Sequence, residues 1–147
     1  MKNESLQRLL YLIEKLPNLL SQIPLAEFEK KPAPNVWSKK QILGHLIDSA
    51  ANNHHRFIRA QYEPIPQIFY NQNKWNELNN YQHLPANHVI ELWTMYNRHL
   101  VEVIRNIPEE QLLTTCRTGE TEPVTLLFIL QDYVQHLEHH LKQIIDL

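Results

Sequence analysis

The sequence predicts an all-α fold, a four-helix bundle with long connections, on three observations. Four stretches repeat apolar residues at helical spacing, and no stretch alternates apolar and polar residues as a half-buried strand does. The chain of 147 residues is long enough for one domain, 1–147, with a real core. With 43% hydrophobic and 20% charged residues, its balance is that of an ordinary globular protein.

The first helix is expected from about Glu4 to Leu20, with Leu6, Leu9, Leu10, Ile13, Leu16 and Leu20 as its inner stripe. Pro17 is expected to kink or shorten it. IPLAEFEKKPAPNVW, residues 23–37, reads as a proline-punctuated connection. The second helix has the clearest start in the chain. Ser38 followed by Gln41 is a capping box, and Trp37 with Ile42 flanks it as a hydrophobic staple. It is expected to reach about Gln61, where Pro64 and Pro66 begin the long excursion YEPIPQIFYNQNKWNELNNYQHLP, with one short helix around Trp75. Long connections of this kind often line sites, and this one is rich in aromatic residues.

Pro85 is placed in the first turn of the third helix, where Ile90, Trp93, Asn97, Leu100, Ile104 and Ile107 recur at helical spacing. Pro123 is read as the start of the fourth helix, running to the C-terminus. With two long connections in place of tight hairpins, simple up-down order is not required.

Composition excludes several functions. With 2 glycines there is no Gly-rich phosphate loop. A net charge of -2 and the lack of a basic run argue against nucleic-acid binding. No apolar run approaches the roughly 20 residues of a membrane span. Asn3, Glu4 and Gln7 interrupt any signal-peptide layout, and the single cysteine, Cys116, suits a reducing compartment. The expectation is a soluble cytoplasmic protein. Cys116 itself reads as an incidental small residue in a loop.

The chemistry-bearing stretch is DYVQHLEHHLKQI, residues 132–144. His136 and His140 stand four apart and stack on one helix face, so they can grip one metal ion. They border the apolar stripe of Leu130, Val134, Leu137, Leu141 and Ile144, whereas His139 points to the other side of His136. A catalytic site wants three protein ligands and an open position, so a third must come from another helix. His45 is the best candidate. Its own face carries Asp48, Ser49, Asn52 and Arg56. That composition fits either a solvated face or a lined polar cavity. Asp48 and Asp132 are candidates to accept imidazole N–H bonds and fix ligand tautomers, or else are ordinary surface carboxylates. His54, His55, His83, His88 and His99 read as exposed or hydrogen-bonded histidines. HxxxH alone is a weak signal in a chain holding 9 His.

Combined motifs are more specific. NVWSKKQILGHLIDSAANNHHRF resembles the second-helix signature of the DinB-like superfamily, and DYVQHLEHHLKQI resembles its last helix. YNQNKWNELNNY is similar to the segment between helices in one branch, so the likeness runs from about Leu6 to Ile144. The resemblance implies a DinB-like four-helix bundle with a divalent metal held by His45, His136 and His140. Imidazole suits zinc, nickel, copper or iron, with zinc the first choice and nickel the second. It also implies a homodimer; it does not imply contact with DNA, and the net charge argues against such contact.

Two enzymatic readings follow. In one, the metal activates a low-molecular-weight thiol such as bacillithiol for transfer to an electrophile, as similar family members do with bacillithiol or mycothiol. In the other, the protein is a metal-dependent hydrolase. A third reading is a non-catalytic metal- or ligand-binding regulatory bundle. For the thiol reading, Arg56, Asn52 and Ser49 are the substrate-binding candidates, with Arg56 suited to an anionic group. Leu137 occupies the position where an H-E-x-x-H motif would place its carboxylate, which disfavours a protease mechanism and leaves no catalytic side chain assigned.

Overall fold

The computed structural model describes residues 1–147. Six helices follow in order: α1 Lys2–Ser21, α2 Leu25–Glu29, α3 Lys39–Arg59, α4 Gln72–Asn79, α5 Ala86–Arg105 and α6 Leu126–Leu141. The four long ones form the bundle. α3 packs against α5 and α6, and α1 packs against the same two helices. α1 and α3 therefore stand at opposite corners, although they are consecutive long helices. An up-down bundle would make them neighbours, and the long connections permit this other order.

Each long helix lays an apolar stripe on the common core. Leu6, Leu9, Leu12, Ile13, Leu16 and Leu20 are buried on α1. Pro17 lies inside the helix without ending it, because the chain continues in helical form to Ser21. Trp93, Leu100 and Ile104 of α5 and Leu126, Leu130, Leu137 and Leu141 of α6 belong to the same core. Each such side chain contributes about 1.5–3 kcal/mol through burial.

The start of α3 is built as the sequence predicts. Ser38 Oγ accepts from the Gln41 backbone N–H at 3.1 Å, and Gln41 Oε1 accepts from the Ser38 N–H at 3.0 Å. In the same turn Lys40 is buried, donating to Leu84 O at 2.6 Å and Glu29 Oε1 at 3.0 Å. It thereby ties the ends of the two long connections to α3. α2 lies inside the stretch read as an irregular connection, anchored by buried Phe28.

Three further details correct the sequence reading. Pro85 caps α5 from outside instead of filling its first turn. Pro123 does not open the last helix. Val124–Thr125 forms β2, antiparallel to β1 at Thr115–Cys116, and the Thr125 side chain then accepts from Phe128 N–H to cap α6. β-Branched Val124 and Thr125 suit the extended backbone that this pairing needs. The helix also ends before the C-terminus, at Leu141, and a turn follows over Lys142–Ile144. Cys116 is accordingly a buried strand residue and not part of a loop. No helix is long and apolar enough to cross a membrane.

Candidate metal centre

His45 sits in the second turn of α3, and His136 and His140 occupy successive turns near the end of α6. Because α3 and α6 pack side by side, the three rings meet. One possible ligand atom from each lies within 4.8 Å of the other two. His45 Nε2 and His136 Nε2 are 3.2 Å apart. Ring centroids are 4.8 Å apart for His45 and His140, and 4.5 Å for His136 and His140. His45 is buried, whereas His136 and His140 are half-buried, so the cluster lies at the rim of the core.

This geometry fits a metal. In a tetrahedral site with metal–nitrogen bonds of about 2.0–2.1 Å, ligand nitrogens stand roughly 3.3 Å apart. The shortest separation here is close to that edge. Burial, then the neighbouring imidazoles, pushes the pKa of His45 down to about 4. Burial, then His140, does the same to His136, against an opposing pull from Asp132. Neutral rings with available lone pairs are the form a cation needs. No other trio of His, Cys, Asp or Glu in the chain converges in this way. The chain supplies three nitrogens and no fourth ligand, which leaves room for an exogenous one.

The surroundings differ from the sequence expectation. Asp48 is buried but accepts no imidazole N–H. Its Oδ1 takes Tyr81 Oη–H at 2.7 Å and Asn79 Nδ2–H at 3.0 Å, and its Oδ2 has no partner. Burial raises its pKa to about 6, with both hydrogen bonds opposing. The cause is local packing: Tyr81 lies on the bare backbone of Gly44, bringing its hydroxyl over the next turn of α3. Asp132 is exposed and makes no hydrogen bond to a ring; it reaches His136 only through charge.

His140 has a different partner. Its Nδ1 lies 2.9 Å from Oε1 of Gln143 in the turn after α6. His139 is exposed, with its ring 5.2 Å from that of His140. Glu138 is drawn away toward α1 by an ion pair with Arg8.

Ser49, Asn52 and Arg56 are all buried, so their face of α3 is an internal polar band and not a solvated one. Much of its hydrogen bonding is spent within the protein. Asn52 Nδ2 donates to Asp48 O at 2.9 Å, and Asn53 Nδ2 donates to Ser49 O at 2.8 Å. Arg56 gives one terminal nitrogen to Asn53 Oδ1 at 3.2 Å and the other to Ile68 O at 2.8 Å; only its Nε is left without a partner. Its fork is therefore occupied by the long excursion it anchors. Burial lowers its pKa.

The aromatic excursion, with Tyr70, Trp75 and Tyr81, reads from the sequence as a candidate pocket wall, and Tyr81 does reach Asp48, whereas sequence reasoning assigned no site role to Trp37, Asn53 or Gln143. The Trp37 ring lies 5.1 Å from His45, centre to centre. Trp37 and Gln143 share a cleft of about 340 Å³ with Asn35, Val36, Ile42 and Asn73, beside the triad. No charged side chain lines it. Gln143 carried a signal in its spacing from His140, while Trp37 had been assigned only to the helix start.

The profile of the DinB superfamily matches residues 8–144. The chain belongs to that superfamily. A Bacillus cereus protein provisionally named a metal-dependent hydrolase is 28% identical over 141 residues, covering 92% of this chain and 80% of the relative. A Bacillus anthracis protein of the same provisional name is 27% identical over the same shares. Among solved structures, YfiT from Bacillus subtilis, described as a probable metal-dependent hydrolase with an unusual four-helix bundle topology, is similar with a TM-score of 0.86. The match has 24% identity and covers 97% of this chain and 83% of YfiT. A mycothiol-dependent maleylpyruvate isomerase shares the fold with a TM-score of 0.77 and 14% identity, over 96% of this chain and 60% of the isomerase.

Proposed function

We propose that this chain is a metal-dependent enzyme that transfers a low-molecular-weight thiol to an uncharged electrophile, in the chemistry of detoxification or stress response. One observation carries the reading. Three imidazoles converge at the rim of the core, and no carboxylate or hydroxyl of the chain is hydrogen-bonded to any of them. The chain thus holds no proton donor against the triad to assist an amide or ester leaving group. A thiolate attacking an electrophile needs none: the S–H proton departs to solvent, a sulfur–carbon bond forms, and the leaving group carries off its electron pair. His45, His136 and His140 would hold a divalent cation, whose charge would favour the thiolate form of a thiol near neutral pH. An all-imidazole set accommodates zinc, the first choice, and nickel, the second.

The chain's own residues do the rest. Burial keeps His45 and His136 neutral, and Trp37 with Val36 and Ile42 gives the adjoining cleft an apolar wall for the electrophile. The shared fold of a mycothiol-dependent isomerase supports thiol chemistry on this scaffold, with bacillithiol as the candidate thiol. Hydrolysis is the second reading, supported by the provisional names of the Bacillus relatives.

Monochlorobimane consumption separates the two. Thiol transfer predicts turnover only when zinc-loaded protein and bacillithiol are both present. Turnover of ester or amide substrates without any thiol, with bimane untouched across a thiol panel, overturns it in favour of hydrolysis.

A further inference from the structure

The three rings of the triad are not held alike. His45 Nδ1 is buried with no hydrogen-bond partner, and no protein acceptor meets the second nitrogen of His136. Only His140 has its second nitrogen engaged, by Gln143 at 2.9 Å. Gln143 lies beyond the last residue of α6, in the turn whose backbone is fixed by Gln143 N–H to His140 O at 3.0 Å and Ile144 N–H to Leu141 O at 3.0 Å. Buried Ile144 pins that turn to the core. The amide is thus held at a set place, although its side chain is exposed.

A neutral imidazole carries one proton, and the nitrogen bearing it cannot bind a metal. Left alone, the ring prefers to protonate Nε2, which is the wrong tautomer for a ligand whose Nδ1 faces away from the ion. An acceptor at Nδ1 reverses that preference. We propose that Gln143 is the positioning residue of the metal centre: its Oε1 accepts the Nδ1–H of His140 and so leaves the Nε2 lone pair free for the ion. The inference rests on the metal reading of the triad, but not on the thiol reading. It assigns to an amide after the helix the task the sequence suggested for Asp48 or Asp132.

The Gln143 amide meets Nδ1 with its acceptor oxygen. A carboxylate can only accept. Gln143→Glu therefore keeps or tightens metal binding, and Gln143→Leu loosens it by about 10- to 100-fold, the usual effect of losing a partner behind a ligand.

The test has two readouts on full-length protein. In the metal-free protein, two-bond ¹H–¹⁵N correlation spectra give the His140 tautomer. The proton is expected on Nδ1 in the parent and in Gln143→Glu, and mainly on Nε2 in Gln143→Leu. Competition titration with zinc then gives the dissociation constants, expected in the order Glu ≤ Gln < Leu, with the melting temperature of the metal-free proteins unchanged. Equal zinc affinity and an unchanged His140 tautomer in Gln143→Leu overturn the proposal. If the tautomer follows the substitution while the parent binds no zinc, Gln143 is upheld as the partner of His140 and the metal reading falls instead.

Discussion

Two polar clusters share the same face of α3, one turn apart, and they are built on opposite principles. The lower one, Ser49, Asn52, Asn53 and Arg56, is sealed in the bundle and bonds chiefly to itself and to local backbone. The upper one, His45 with His136 and His140, lies at the rim and directs nitrogen lone pairs at one another. A buried polar group without a partner costs about 1–3 kcal/mol. The lower cluster largely avoids that cost by internal pairing, whereas the upper one is arranged so that a cation would relieve it. Residue type alone does not separate structure from function here. Whether the hydrogen bonding closes on itself does.

The largest expected effect breaks this comparison into two separate losses. His45→Ala should weaken zinc binding by on the order of a hundredfold or more while the fold is retained. Asn53→Ala should do the reverse. It removes the acceptor of one Arg56 nitrogen and the amide contacts to Ser49 O and Oγ, lowers stability by about 2 kcal/mol, and leaves zinc affinity within roughly threefold. Calorimetric titration and urea unfolding on both variants check the pair; a loss of stability without a loss of zinc in His45→Ala would erase the distinction.

Gly44→Ala tests the join between the clusters. A Cβ there would lie 2.3 Å from the Tyr81 ring, so the ring must move and release Asp48. We expect destabilisation of about 1–3 kcal/mol in urea, comparable to overpacking a core.

Acid titration sharpens the contrast further. His45 and His136 have folded pKa values of about 4, below the usual 6.5, so the unfolded chain binds more protons between those limits. Their contribution is present above pH 6.5 and is lost as pH falls through 4. Asp48 acts in the opposite sense. Its folded pKa of about 6 stands above 3.8, so its contribution is full below 3.8 and is lost as pH rises through 6, by on the order of 2 kcal/mol. In Asp48→Asn, metal-free stability should therefore climb more steeply from pH 4 to 6 than in the parent. Unfolding curves at half-unit intervals give the slope, and a shallower climb contradicts the assignment.

The smallest effect is at the surface. Arg8→Ala removes the ion pair to Glu138 and should cost no more than about 0.5 kcal/mol, with zinc affinity unchanged.

The same distinction explains what could be read in the sequence. The long helices were legible because Leu6, Leu9, Ile13 and their counterparts recur at 3.6-residue spacing, and Ser38 with Gln41 marks a start by local chemistry alone. His45, His136 and His140 were reachable because HxxxH puts two candidate ligands on one helix, the polar face of the second helix offered His45 as the third, and the resemblance pointed to the same three. What was not legible depends on distant partners. Val124–Thr125 is a strand only because Cys116 lies beside it, and Asp48 turns from His45 because Tyr81, 33 positions on, rests on Gly44. Lys40 is buried for a similar reason, since its partners Leu84 and Glu29 come from two separate connections.

The most direct test is zinc K-edge X-ray absorption on protein loaded with one equivalent, for the parent chain and for His45→Ala. Three imidazole nitrogens at about 2.0–2.1 Å plus one exogenous ligand are predicted for the parent, falling to two imidazoles in the variant. An imidazole count that does not change when His45 is removed would contradict the account.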